Sequence, residues 1–353
     1  MDATLEYLKE LVETHGVPGF EHEVAAVMNR RLKGMGTVSK DRLGSFICEK
    51  KGPAGGPRVM LAGHLDEVGF MVKSITREGF IKFLGLGGWW GHVVLGQRLI
   101  IRTRKGDVLG VVGSKPPHEL RDEDRKKVLE LREMYIDVGA TSDWDVRKKL
   151  EIRPGDPIVP DSSFAVMANP NLLLAKAWDN RMGCALATET LLGLQNVKHP
   201  NTVFGVATSM EEVGTRGAMT SAFKVKPDVA FALDVGIAHD SPGTEGDEKL
   251  GGGPLVVVYD ASSIPNRGLF DLVIDTAKKI KVPLQFESVE RGGTDAGRIH
   301  VTGQGVPCIS MGVPARYIHS HVSMIDRRDF DATVKLLVAL VKRLDKKTVA
   351  SLT

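Results

Sequence analysis

The sequence has 353 residues, of which 42% are hydrophobic and 26% charged, with a formal net charge of +3, a composition that fits a globular chain with room for two domains and a sizeable core. The dispersed basic residues and the 6% aromatic content argue against a nucleic-acid groove, and no apolar run is long enough to span a bilayer. Three widely separated cysteines, Cys48, Cys184 and Cys308, exclude a disulfide framework and a thiolate zinc site and point to a reducing cytoplasm.

The chain starts on an amphipathic pattern, Leu5, Leu8, Leu11 and Val12, with no charged leader followed by an apolar segment. Helices are expected over 3–14 and 21–33, joined by a Gly/Pro turn at His15–Phe20. A strand pair follows over 37–41 and 45–50. A compact apolar strand, 58–62, then runs into Gly63-His64-Leu65-Asp66-Glu67. From Val68 to Asp161 helical periodicity fades. Short strands over 70–75, 80–84, 98–102, 108–112 and 135–138 alternate with hairpin-like turns at Glu78-Gly79 and Gly106-Asp107. The charged stretch 119–132 reads as a surface loop. This β-rich segment interrupts an α/β rhythm that returns after Phe164. A strand near 172–177 leads to Trp178-Asp179-Asn180-Arg181 and a helix to about Leu194. The apolar run 202–208 ends before Glu211 and Glu212, and 228–233 ends at Asp234. A glycine-rich loop covers 243–254 and a helix 269–280. A strand over 306–312 runs towards His319 and His321, and a helix over 329–344 closes the chain. No internal repeat is visible.

In open α/β sheets, ligands collect beyond the carboxyl ends of strands. Here His64 with Asp66, Asp179, Glu211 with Glu212, Asp234 and His319 all fall beside such ends. Taken singly, His64 reads as a core histidine, Asp179 as a helix cap and Asp234 as a turn residue. Together they form an imidazole and carboxylate set suited to zinc, cobalt or manganese. Two ions about 3.5–4 Å apart need a bridging carboxylate and further ligands on each ion. These groups meet that count with one Glu to spare, a natural general base. Neighbouring residues on an extended chain face opposite ways, so Glu211 and Glu212 are expected to divide the labour. By the same rule His319 and His321 would face one way, and spacing alone does not choose between them.

The segments AGHLDEVGFMV (62–72), PPH (116–118), WDNRMG (178–183), EEVGTRGA (211–218), LDVG (233–236), GGTDAG (292–297) and PARYIHS (314–320) resemble those of the tetrahedral (TET), or glutamyl and deblocking, aminopeptidases. The resemblance covers essentially the whole chain. It implies an α/β fold with a metallopeptidase-type mixed sheet flanked by helices, and an inserted small β-rich, PDZ-like dimerisation domain. Residues 1–70 and 163–353 would form the catalytic domain and 71–162 the insertion. It implies two divalent ions per subunit, zinc or cobalt. His64, Asp179 and Asp234 would hold one ion; Asp179 would bridge to a second, completed by Glu212 and His319. Glu211 would be the catalytic base and acid, and Asp66 would orient the His64 imidazole. The Asp179–Asn180 peptide would be cis, and Asn180, where many relatives carry Asp, would have no metal role. The GGTDAG loop would line the site. Partners would be peptide substrates and copies of the chain itself, in a cytoplasmic dodecamer built from dimers, with no nucleic acid or membrane. Three rivals share parts of this pattern: a deacylase of N-acyl amino acids, a glycosidase, and a non-enzymatic shell protein. A glycosidase needs two carboxylates across a sugar, which adjacent Glu211 and Glu212 do not supply.

Overall fold

The computed structural model describes residues 2–352. A mixed sheet runs Thr37–Lys40, Phe46–Lys50, Thr202–Thr208, Arg58–His64, Val229–Ile237, Cys308–Ala315, Leu255–Asp260 and Gln285–Val289 from edge to edge. Its four middle strands, from Thr202–Thr208 to Cys308–Ala315, are mutually parallel. They are also its most apolar strands, and the interior residues of Arg58–His64 and Thr202–Thr208 are all buried. That is the signature of strands covered on both faces. One face packs against helices through Leu8, Trp178, Leu186, Phe231, Phe330 and Leu337. The other packs through Met60, Phe204, Val206, Ala218 and Ile299. Burying each large side chain contributes about 1.5–3 kcal/mol.

The surface helices follow the expected local rules. Asp2 caps Ala3–Glu13, Asn266 caps Arg267–Ile280 and Asp326 caps Arg327–Arg343, each side chain accepting a backbone N–H of the first turn. Trp178–Gly193 differs, being buried almost all round. Two glycines bring it onto the sheet. A Cβ on Gly183 would meet the Leu233 carbonyl oxygen at 2.0 Å, and one on Gly63 would meet the Gly183 backbone at 2.4 Å. The start of this helix is therefore pressed against the strands that carry His64 and Asp234.

The β-rich insertion is a closed six-stranded barrel. Its order is Gly69–Ile75, Ile81–Leu86, Tyr135–Asp137, Gly106–Gly113, Arg98–Thr103 and Pro157–Pro160, around its own core of Phe70, Ile81, Leu99, Ile101, Ile136 and Ile158. Several expectations need correction. The stretch 119–132 holds short helical segments, Asp122–Arg125 and Leu131–Glu133, and is not loop throughout. Strands Leu255–Asp260, Gln285–Val289 and Ser323–Asp326 are additional. Gln285–Val289 is masked in sequence by its polar alternation, since its buried position is Glu287. The chain does not close on the helix near 329–344. Asp345 caps a further short helix, Lys346–Ala350. Among the described residues no helix is long and apolar enough to cross a membrane.

Candidate metal centre

The parallel strands deliver the polar groups to one end of the sheet. His64 is the last residue of its strand. Glu211 and Glu212 follow Thr202–Thr208, and His319 follows Cys308–Ala315. Asp234 lies inside Val229–Ile237, not at a strand end as expected, because that strand continues to Ile237 beside Pro314 and Ala315. Asp179 enters from the helix Trp178–Gly193, where its φ of −81° and ψ of 103° are not helical. The Asp179–Asn180 peptide is cis. Asn180 is buried and binds backbone, donating to the Leu233 carbonyl and accepting from Gly183 N–H.

The chain turns sharply around these groups. Ala177, Met210, Thr215, Tyr317 and His319 all have positive φ without being glycine, a conformation costing roughly 1–3 kcal/mol per residue and concentrated at functional sites. Neither pair of neighbours therefore sits on extended chain. Met210 turns the backbone immediately before Glu211. With positive φ at Tyr317 and His319, the extended-chain rule does not apply to His319 and His321: His319 meets Asp179, and His321 packs against Trp89.

Asp179 holds the middle of the cluster. Its Oδ1 lies 3.2 Å from His64 Nε2, and its Oδ2 lies 3.2 Å from His319 Nε2. His64 Nε2 is also 3.7 Å from Glu211 Oε2, and His319 Nε2 is 3.6 Å from Glu212 Oε2. Two overlapping groups, His64–Asp179–Asp234 and Asp179–Glu212–His319, each place their ligand atoms within 4.8 Å of one another. Both histidines are oriented by backbone. His64 Nδ1 lies 3.0 Å from the Asp66 carbonyl and His319 Nδ1 lies 2.8 Å from the Gly88 carbonyl. With a proton on each Nδ1, the Nε2 lone pairs point at carboxylates. That arrangement repels unless a cation or extra protons lie between. Ligand atoms sharing an ion at about 2.0–2.2 Å sit about 3.3 Å apart in tetrahedral geometry, close to the separations here. Among the described residues Glu212 Oε1 is buried without a hydrogen-bond partner, which suits an acceptor for a cation. The donor set fits divalent metal.

Asp66 faces the His64 imidazole and also holds the turn that follows Thr202–Thr208. Its backbone carbonyl, rather than its carboxylate, is the nearer partner of His64 Nδ1; the carboxylate Oδ1 is 3.5 Å away. The two carboxylate oxygens instead accept the backbone N–H groups of Glu211 and Glu212, each at 3.0 Å. Asp66 thus fixes the turn that carries both glutamates.

Burial and the crowding of carboxylates shift the protonation of the cluster. Burial pushes Glu212 up to about 8, and the charge of Asp179 adds to it. Burial raises Asp234 well above the carboxylate range, again reinforced by Asp179. It raises Glu211 as well, against the pull of His64. In His64 burial acts downward, but Glu211, Asp179 and Asp66 outweigh it and hold the imidazole well above its usual range. Burial also opposes the charge on His319, which the Asp179 carboxylate nonetheless holds up at about 9. Without metal, the folded state therefore binds more protons than the unfolded chain. For Glu212 this spans its ordinary 4.5 to about 8, and for His319 6.5 to about 9. Stability must fall as pH rises through both windows. Chelated protein is expected to melt at progressively lower temperature from about pH 5 to about pH 9, and divalent metal to remove most of that slope. Melting curves with and without zinc measure it; a flat metal-free profile contradicts the assignment.

Sequence reading missed the support beneath the site. Glu67, Lys176 and Arg181 are essentially inaccessible to solvent. Lys176 Nζ donates to both Glu67 oxygens, at 2.6 and 2.8 Å, and Arg181 Nη2 lies 3.3 Å from Glu67. Arg181 also donates to the carbonyls of Leu65, Leu11, Thr14 and Gly16. The cluster ties the segment after His64 to both flanks of Asp179. Its signal was Lys176 and Arg181 in an otherwise apolar run, since buried charges require partners. Glu67→Gln removes the carboxylate that both buried cations contact. A loss of about 3–5 kcal/mol is expected, read from the denaturant midpoint. A change below about 1 kcal/mol would show that the cluster contributes little.

The candidate ligands line a cavity of about 700 Å³ that extends over Val235, Ile237, Leu255, Val257, Met311 and Ile318. Gly292, Gly293, Thr294 and Gly297 line it too. Asp295, in the same segment, is buried and accepts from Thr208 Oγ1 at 2.6 Å.

The family described as M42 glutamyl aminopeptidase matches residues 44–336, a span that contains every candidate ligand and Glu211. The chain belongs to this family. It is a hydrolase acting on peptide bonds. A TET aminopeptidase from a marine-sediment Thaumarchaeota archaeon is 46% identical and superposes with a TM-score of 0.97, covering 100% of each chain. The glutamyl aminopeptidase of Lactococcus lactis is 36% identical over 98% of each. The TET1 peptidase of Pyrococcus horikoshii is 32% identical with a TM-score of 0.87, covering 97% of this chain and 100% of that one.

Proposed function

We propose that this M42 peptidase is a co-catalytic two-metal aminopeptidase that removes N-terminal residues from peptides. The observation that carries the reading is the Asp179 carboxylate, whose two oxygens each lie 3.2 Å from a different histidine. Asp179 would bridge two ions, zinc or cobalt. His64 and Asp234 complete one set of ligands, and Glu212 and His319 the other. Bound metal would polarise the scissile carbonyl and acidify water towards neutrality. Glu211 lies beside both sets, yet belongs to neither three-residue group among the described residues. It is free to take the proton of the attacking water and pass it to the leaving amine. Asp66 holds Glu211 for that task through its backbone N–H. The candidate ligands all line the cavity that would receive the chain's free end.

The test is a panel of amides with free and acylated amines. Hydrolysis of the free-amine amides is expected, lost with a chelator and regained with zinc or cobalt. Hydrolysis confined to N-acyl amino acids would overturn the aminopeptidase reading.

The inserted segment 71–162, which carries most of the barrel, is assigned to dimerisation, and residues 1–70 with 163–353 to catalysis. The P. horikoshii TET1 peptidase can assemble into a tetrahedron or a large octahedral shell. A twelve-subunit particle in the cytoplasm is the assembly we assign here. Light scattering giving the mass of a monomer would overturn it.

A further inference from the structure

A second space opens beside the candidate metal centre, and nothing in the mechanism above uses it. It is a cleft of about 760 Å³ whose walls include Trp89, Trp90, Val93, Tyr317, Ile318 and His321. It meets the catalytic cavity at Gly88, Ile318 and His319, which line both. The contact between the two spaces is tight. A Cβ on Gly88 would come within 3.1 Å of His319 Nδ1, so a side chain there would press on the imidazole at the passage.

The two spaces differ in kind. The catalytic cavity is lined by the sheet residues Val235, Leu255, Val257 and Met311. The cleft is open to solvent: Trp90 is 61% exposed and Tyr317 52%. Among the described residues no lining side chain of the cleft is a carboxylate, lysine or arginine. The catalytic cavity, by contrast, includes Asp260, Glu287, Arg291 and Arg298. An enzyme that cuts after the first residue needs a closed space for one side chain. It also needs an open path for the chain that continues. We propose that the aromatic cleft receives the substrate peptide on the leaving-group side of the scissile bond, and that it selects large apolar or aromatic second residues over charged ones.

Three observations fit that occupant. The cleft joins the metal centre through His319 itself. Its exposed ring of Trp90 packs edge-on against His92, with centroids 4.6 Å apart, which holds a flat apolar surface in place. The buried ring of His321 stacks edge-on against Trp89 at 5.6 Å, backing the cleft from below. An apolar second residue would cover the exposed Trp90 ring, whereas a charged one meets no carboxylate, lysine or arginine among the described lining residues.

The inference rests on the aminopeptidase reading, and one set of measurements separates the two. In the metal-loaded, full-length protein, kcat/KM is measured for the amide of the preferred first residue, which carries nothing beyond the scissile bond. It is then measured for the same residue followed by Phe or by Glu. The Phe peptide is expected to exceed the Glu peptide by about tenfold or more. In Trp90→Ala that Phe-to-Glu ratio should fall towards one, and in Trp90→Phe it should largely survive. Because Trp90 is mostly exposed, its loss should spare the fold, and the wild-type ratio stands without any variant. A wild-type ratio near one, or a ratio unmoved by Trp90→Ala, overturns the proposal. So does a changed subunit number with an unmoved ratio, which would give the cleft to a second copy of the chain. No hydrolysis of the simple amide by wild-type protein with zinc or cobalt would overturn the aminopeptidase reading itself, before any variant is made.

Discussion

Glu211→Gln is expected to cost about 10²–10⁴-fold in kcat while leaving the fold and the metal content intact. The substitution keeps the size of the side chain and the backbone N–H that Asp66 holds. It removes only the ability to accept and return a proton. Glu211 lies outside both ligand groups, so no direct ligand is lost. One nearby negative charge does disappear, and its Oε2 is 3.7 Å from His64 Nε2. Changes just outside the ligands typically cost 10–100-fold in metal affinity, which does not empty a site at saturating metal. The two effects therefore separate cleanly: turnover collapses and occupancy does not. Metal analysis by mass spectrometry and single-substrate kinetics on the same sample would measure both. A variant within tenfold of wild type would remove Glu211 from proton transfer. Loss of metal would instead move it into the ligand set.

The sequence was legible where chemistry and periodicity coincide. The strands Arg58–His64 and Thr202–Thr208 announce themselves because apolar runs stop abruptly at polar groups, and that stop is also where a ligand can reach them. The barrel was visible as a loss of helical period, although its closure was not. Closure depends on pairings such as Arg98–Thr103 with Pro157–Pro160, which no local pattern encodes. Backbone turns at Met210, Tyr317 and His319 were hidden for a similar reason. Positive φ at residues other than glycine is imposed by the surrounding structure, not by local preference. The Glu67, Lys176 and Arg181 cluster was hidden by distance along the chain, since Glu67 and Arg181 are separated by 114 positions. Gly88 shows the same limit: its carbonyl orients His319 from 231 positions away, out of the inserted segment. A role for the barrel in shaping the metal centre therefore emerges only from the folded chain.

Asp179→Ala is expected to lose both ions, His319→Ala to keep about one per subunit, and His321→Ala to keep two. The order follows from how many sets each side chain joins. Asp179 is the carboxylate common to both ligand groups, His319 belongs to one, and His321 to neither. Asp179 is also the anion that sustains the charge on its neighbours. Burial opposes its charge, but its interactions with both histidines hold it well below the usual carboxylate range, which suits a bridging role. His319 presents Nε2 to Asp179 at 3.2 Å and to Glu212 at 3.6 Å, with its other nitrogen bound to the Gly88 carbonyl. His321 is only 5% exposed and packs against Trp89, and burial pushes it down to about 4, so it is a neutral packing group. Removing one of about three protein ligands at an ion should weaken that ion far more than the 10–100-fold typical of a residue beyond the ligands. Activity should follow occupancy: nearly none for Asp179→Ala and His319→Ala, and substantial for His321→Ala. Asp179→Asn keeps one oxygen donor but no charge, and should retain at most one ion, which separates bridging from simple packing at that position. If His321→Ala lost an ion while His319→Ala kept both, the histidine assignment would be reversed, and the turn at His319 would have to present the other ring to the metal.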